Sequence, residues 1–295
     1  MTLDQIRIFL CVAELRHVTR AAAQLNMTQS AVSSAIAALE RQHGVRLFDR
    51  VGRGIALTQE GETFVPTARA LLAQAETAAL VLADLSVETR GSLRLFASQT
   101  VASYWLPPRL MRFHEMHPEV TLSLAVGNTA QAAAAVQEGT ADLGFIEGDL
   151  PDSPLRRQVV ARDELVLVLS RQHPAARQKA FTAQDYRRFT WLLREEGSGT
   201  RSVFEAHLAA MGLRAAELSV ALDLPSNEAV LAGVGTGGAV AMLSHRAVPA
   251  ARARGLAIRR VTWAQRPARP FAVLSHPERH RTRAAEALLE GIRAG

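Results

Sequence analysis

With 295 residues, 48% of them hydrophobic, the chain can bury a large core and suits two or three units. A single cysteine, Cys11, excludes an internal disulfide and has no zinc-type spacing around it, no run reaches the roughly 20 apolar residues of a membrane span, and MTLDQIRIFLCVAELRH lacks the basic start and cleavage site of an export signal, so a soluble cytoplasmic protein is expected. A net charge of +6, from 34 basic and 28 acidic residues with Lys179 the only lysine, is compatible with nucleic acid but does not select it, because arginine's planar fork suits phosphate and carboxylate alike.

The first elements are helical. Thr2 and Gln5 form a capping box ahead of Ile6, Phe9, Leu10 and Ala13, whose spacing paints one face of a helix over residues 3 to 16. Thr19 can cap a second helix over RAAAQL, Asn26 tolerates the left-handed turn that would close it, and Thr28 can cap a third. In that third helix, TQSAVSSAIAALER, the residues Val32, Ala35, Ile36 and Leu39 share a stripe, while Gln29, Ser30, Ser33, Ser34 and Arg41 fall elsewhere. Two short helices, a tight turn and a polar-faced second helix make a helix-turn-helix. GVRLFDRVGRGIALT then reads as a small hairpin, a wing with Arg50 and Arg53 flanking its tip.

From Thr58 to Glu88 a long helical pattern follows, in which Ala68, Leu71, Ala75, Ala78, Leu82 and Leu85 step by threes and fours. That seam suits pairing with a second copy of itself. After Arg90-Gly91-Ser92 the pattern changes to short apolar runs between helices: LRLFA, TLSLAV, LGFI, ELVLVL, TWLL, LSVAL, AVAML, LAIRRV and FAVL. The alternation predicts α/β architecture with mainly parallel strands, and its length predicts two α/β lobes with a cleft between them.

A helix whose outer face carries Thr28, Gln29, Ser30, Ser33 and Ser34 and nothing catalytic suits base edges and phosphates in a major groove. The preceding helix, the wing with Arg50 and Arg53 for phosphate or minor groove, and the self-pairing helix follow in the order that a double-stranded-DNA reader needs.

On these residues the chain resembles the LysR-type transcriptional regulators: FLCVAELRHVTRAAAQLNMTQSAVSSAIAALERQHGVRLFDRVGRGIALTQEG is similar to that family's N-terminal pattern almost position by position. Val18 departs from it, standing where the family commonly has Ser. The resemblance implies an α+β multidomain protein: a winged helix-turn-helix (1–58), a linker helix that dimerises (59–90) and an effector-binding domain (91–295) built like a periplasmic binding protein. In that domain lobe one would span about 92–161 and 266–295, and lobe two about 162–265. It further implies a tetramer, a small-molecule effector bound between the lobes, and an effect on RNA polymerase. IEGDLPD and REEGSGTR resemble the CysL/CbbR-like subgroup, which regulates sulfite reduction and carbon fixation, and so imply a small anionic effector such as a sulfur oxyanion or a phosphorylated acid.

Two stretches of the sensor favour an anion on physical grounds. Ser98, Gln99 and Thr100 follow a strand and precede a helix, and Ser198, Gly199 and Thr200 stand in the same relation to the next one, so free N–H groups, helix dipoles and hydroxyls could converge. Asn128, Thr129, Glu147 and Ser226 are further candidates at strand or helix ends, each with an ordinary capping explanation.

Other functions fit less well. His114 and His117 in HEMH lack the spacing of a zinc protease helix and Ser198 has no identifiable base, so no catalytic residue, metal or cofactor is expected. A solute-binding protein of a transport system would explain the lobes but not residues 1 to 88. The eleven arginines from Arg246 onward, against Glu278, Glu286 and Glu290, read as a solvated basic face rather than a second nucleic-acid patch.

Overall fold

A computed structural model describes residues 1–51, 54–84, 91–150, 153–249 and 255–294. Of the positions singled out above, Gly52, Arg53, Leu85, Glu88, Arg90 and two residues of IEGDLPD lie outside them. The chain divides into two compact units, one of helices and a hairpin up to residue 84, the other around the sheet from residue 91 on.

The first unit contains α1 (Leu3–Leu15), α2 (Val18–Gln24), α3 (Gln29–His43), the hairpin β1 (Phe48–Val51) and β2 (Gly54–Leu57), and α4 (Gln59–Asp84). Thr2 and Gln5 make the expected capping box on α1, and Asn26 turns left-handed at φ 51°. The cap of α2 is His17, whose Nδ1 accepts from Arg20 N at 3.4 Å, rather than Thr19. Thr19 sits one residue inside the helix and donates to Gln29 Oε1 across the turn at 3.3 Å. Thr28 caps α3, accepting from Ala31 N at 3.2 Å. Ile6, Phe9, Val12, Val32, Ile36 and Leu39 close the core.

Ala68 belongs to that core and is fully buried, which removes it from the expected pairing seam. The reason is that the first half of α4 packs on α1 through Phe64, Val65, Ala68 and Leu72. Further along, Leu71 and Ala78 are exposed.

The second unit begins with β3 (Gly91–Ser98), α5 (Gln99–Tyr104), α6 (Pro107–Met116), β4 (Val120–Gly127), α7 (Thr129–Glu138) and β5 (Leu143–Glu147). Then come β6 (Arg156–Ser170), α8 (Ala183–Arg188), β7 (Thr190–Arg194), α9 (Gly199–Ala210), β8 (Ser219–Leu224), α10 (Asn227–Gly235), β9 (Val240–Ser244), β10 (Leu256–Arg260), β11 (Ala268–Ser275) and α11 (Arg283–Ala294). The strands form one nine-stranded sheet in the order β4-β3-β5-β11-β6-β9-β7-β8, with β10 also on β6.

Each lobe has a parallel part, β4-β3-β5 in one and β8-β7-β9 in the other. The expectation of mainly parallel strands fails at β6, which pairs antiparallel with β9, β10 and β11, and at β11, which also runs antiparallel to β5. The cause is the route of the chain: it crosses between lobes along the 15-residue strand β6 and returns along β11, without a crossover helix at either passage. Each lobe buries apolar side chains on both faces of its part of the sheet, around Leu95, Phe113, Phe145 and Leu288 or Ile146 and Ala272 in one, around Trp191, Phe204 and Leu208 or Val166, Val230 and Leu243 in the other.

The basic C-terminal segment is a solvated face only in part. Arg260, Arg266, Arg283 and Arg293 are exposed, but Arg269 is fully buried and Arg279 donates to the Val136 and Gln137 carbonyls at 2.7 and 2.9 Å. Among the described residues no helix is long and apolar enough to cross a membrane.

Candidate DNA-reading face and effector cleft

In the first unit the apolar stripe of α3 faces the core, and Thr28, Gln29, Ser30, Ser33 and Ser34 are therefore left exposed. Thr28 and Ser30 hydroxyls meet at 3.0 Å, while Ser33 and Ser34 have no hydrogen-bond partner among the described residues. The far end of α3 is fixed to the hairpin by Glu40, whose Oε1 accepts from Leu47 N at 2.8 Å and Phe48 N at 3.2 Å. Arg50 stands on β1 opposite Ile55; Arg53 lies outside the described residues. The geometry is that of a helix presenting short polar side chains beside a hairpin, the two held together by the Glu40 carboxylate and by Leu47 and Phe48 in the shared core.

In the second unit the candidate residues gather where the two lobes meet, and they form two clusters rather than one. The first surrounds the carboxylate of Glu147, which is 1% exposed at the end of β5. Ser98 Oγ donates to its Oε2, Thr200 Oγ1 stands 3.5 Å from Oε1, and Thr129 Oγ1 donates to its backbone carbonyl at 3.0 Å. Behind it, Arg269 donates from Nη1 to Thr200 Oγ1 at 2.9 Å and lies 3.6 Å from Glu147 Oε1.

The other side of the same guanidinium holds Asp163, with Nε and Nη2 both 2.8 Å from Oδ2. Asp163 and Arg269 are register partners on β6 and β11, the strands that connect the lobes. Ser244 Oγ donates to Asp163 Oδ1 at 2.9 Å, and half-exposed His245 places Nδ1 at 2.8 Å from the same oxygen. A buried carboxylate requires a cation and full hydrogen bonding to persist, and here one arginine serves two.

Gly199, the first residue of α9, permits this closeness: a Cβ there would stand 2.0 Å from the Glu147 carbonyl oxygen and 2.8 Å from its Cγ. The start of α9 is capped internally, Ser198 Oγ accepting from Thr200 N at 3.3 Å.

The second cluster surrounds Arg194, 2% exposed at the end of β7. It pairs with Glu195 at 2.8 and 2.9 Å and donates to Gln99 Oε1 at 3.2 Å and the Pro225 carbonyl at 3.2 Å. Gln99 Oε1 also accepts from Asn227 N, Thr100 Oγ1 accepts from Asn227 Nδ2 at 3.0 Å, and Gln99 Nε2 and Tyr104 Oη donate to Glu228 at 2.8 and 2.5 Å. Asn128 serves neither cluster; it exchanges bonds with Gln131 and donates to the Glu196 carbonyl at 3.2 Å. Ser226 caps α10, accepting from Ala229 N at 3.1 Å.

Ser98, Gln99 and Thr100 are thus brought to the cleft but not to a common point, and α5 behind them has only six residues, too short for an appreciable dipole. A cavity of about 390 Å³ opens beside the first cluster, over Thr129, Ser198, Gly199 and Arg201, with Asp149, Glu196 and Glu205 also at its wall. Arg201 is committed there to Glu205 at 3.0 Å and Asp223 at 2.8 Å. The residues missed from sequence are Asp163, Arg194, Glu228 and Arg269. Arg194 and Arg269 were visible only as charges next to apolar runs, which marks many surface residues as well.

The pattern of a family model described as "Bacterial regulatory helix-turn-helix protein, lysR family" matches residues 3–62, and one described as "LysR substrate binding domain" matches residues 86–295. The HTH-type transcriptional regulator YeiE of Escherichia coli (strain K12) is 34% identical over 248 residues, covering 84% of this chain and 82% of the relative. The HTH-type transcriptional regulator CysL of Bacillus subtilis (strain 168) is 30% identical over 236 residues, 80% of this chain and 79% of the relative. Full-length CbnR, solved in complex with its target DNA, superposes with a TM-score of 0.71 at 23% identity, covering 100% of this chain and 99% of that one, a likeness of fold.

Proposed function

The chain belongs to the LysR family of DNA-binding transcriptional regulators, which are not enzymes, and from that premise we propose that it controls promoter activity by sensing a small anionic metabolite between its two lobes. The observation that carries the anionic reading is Glu147. A carboxylate already sits at the meeting point of hydroxyls from both lobes, with a buried arginine behind it, so the surroundings are chemically matched to a carboxylate-sized anion. An effector oxyanion takes the bonds of Ser98 and Thr200 when the Glu147 side chain turns toward the adjoining cavity, while Thr129 stays on the Glu147 backbone carbonyl. Sulfur oxyanions and phosphorylated acids are the two classes this proposal favours.

On the DNA side, Gln29, Ser30, Ser33 and Ser34 read base edges, Thr28 orders the start of the reading helix, and Arg50 and Arg53 supply phosphate contacts. Support comes from the exposure of the polar face of α3 and from its neighbour, a wing tied to it by Glu40. A free solute-binding protein has no use for such a unit. The proposed assembly is a dimer through α4 that doubles to a tetramer and engages RNA polymerase. The end strands β4 and β8 leave Leu124, Val126, Val220 and Leu222 exposed, as surfaces that meet a second copy do.

Calorimetric titration of the full chain with sulfite, sulfate, phosphate and phosphoglycolate tests the sensing half. Binding of one of these anions, lost in Ser98→Ala with Thr200→Val but with operator affinity kept, is the expected result. Absence of binding by all four, alongside a response to a neutral or cationic metabolite, contradicts it.

A further inference from the structure

A second pocket of about 380 Å³ lies at the far end of lobe two, against β10, lined by Arg171, Arg177 and Arg259 together with Leu256, Ala257 and Ile258. Arg171 follows the last residue of β6, eight positions beyond Asp163, so about 26 Å of extended strand separates this pocket from the cleft. Among the described residues its lining holds these arginines and no carboxylate.

Arg259 is held rigidly. Its guanidinium donates to the carbonyls of Ala176, Gln178 and Ile258, which orients the group without neutralising its charge. Among the described residues no carboxylate pairs with Arg259 or Arg177. Acids on neighbouring elements are engaged elsewhere: Glu164 pairs with Arg260 at 2.6 Å, and Asp185 caps its own helix, accepting from Thr182 N at 2.7 Å and from Gln178 Nε2 at 3.2 Å. Burial of Ala176, Leu256 and Ala257 gives the pocket an apolar floor.

We propose that this pocket is a second ligand site, distinct from the cleft, for a carboxylate carried on a short apolar body. The charge calls for an anion, and the floor gives an aliphatic or aromatic group a surface that bare inorganic ions cannot use.

Hexanoate is the probe, titrated calorimetrically into the full chain, with hexanol and inorganic phosphate as controls. Saturable hexanoate binding that weakens about tenfold or more in Arg171→Ala with Arg177→Ala, while the melting temperature and duplex-DNA affinity stay unchanged, is the expected result. Both arginines are exposed, so the variant is expected to keep its fold, which the unchanged melting temperature checks. The proposal is overturned if hexanoate does not bind at millimolar concentration, if the double variant binds it equally well, or if hexanol or phosphate binds as tightly as hexanoate. Cleft variants such as Ser98→Ala with Thr200→Val are expected to leave this binding intact, and loss of hexanoate binding in them would assign the probe to the cleft and overturn the second site.

Discussion

On α3, Ser33 and Ser34 are exposed and hydrogen-bonded to nothing among the described residues; between the lobes, Ser98, Thr100, Thr129 and Thr200 are all at most 4% exposed and all bonded. The same residue types do different work in the two places. An exposed hydroxyl exchanges water for a DNA acceptor at little expense to folding. A buried one must be satisfied inside the protein before any ligand arrives. Changes on the reading helix therefore alter binding with the fold intact, whereas changes in the cleft alter the fold's stability first.

Removing the shared cation is the severest way to strain that contrast. Arg269→Ala leaves Asp163 and Glu147 buried without their partner and is expected to destabilise the sensor by about 3–5 kcal/mol, read by urea unfolding; a loss below that of an ordinary surface substitution would mean the cluster is neutral. Gly199→Ala comes next. Its methyl group would collide with the Glu147 backbone, and about 1–3 kcal/mol of overpacking is expected in the same measurement.

On the other side, Ser33→Ala is expected to change stability by under about 0.5 kcal/mol yet shift discrimination between DNA sites by about 1 kcal/mol or more, measured by melting and by anisotropy on paired duplexes. A variant that loses stability but keeps its site preference would reverse the comparison.

The smallest effect is pH-dependent. His207 is buried in lobe two beside the Tyr186 hydroxyl at 3.0 Å, and burial holds its pKa below the ordinary histidine value. The unfolded chain therefore takes up that proton more readily than the folded one, so sensor stability is full above the ordinary histidine pKa of about 6.5 and declines as pH falls through it. His207→Gln is expected to flatten this decline in melts run between neutral and mildly acidic pH, and an unchanged slope would assign it to other groups.

The first unit was legible from sequence because its signals are local. Thr2 with Gln5, Thr28 and Asn26 each act within a turn, and the stripe Val32, Ile36 and Leu39 fixes which face of α3 is left outside. Thr19 misled because the helix starts earlier and His17 makes the cap bond two residues before it. In the sensor the strands were legible from apolar runs, but Asp163 and Arg269 stand 106 residues apart and meet only because β6 and β11 pair antiparallel, which no local pattern announces. For the same reason Ser98, Thr100 and Thr200 were assigned to one site, whereas Ser98 and Thr200 meet at Glu147 and Thr100 bonds Asn227.

The most direct test of the account is to select preferred duplexes from random DNA with the full chain and measure affinity by fluorescence anisotropy across salt for wild type, Gln29→Ala with Ser33→Ala, and Arg50→Ala with Arg53→Ala. The account predicts that the α3 variant loses preference among sequences while its salt slope is kept, and that the arginine variant weakens every duplex and lowers the slope by about 2. Wild-type binding without sequence preference, or a preference that survives the α3 changes, would contradict the assignment of reading to the exposed face of α3.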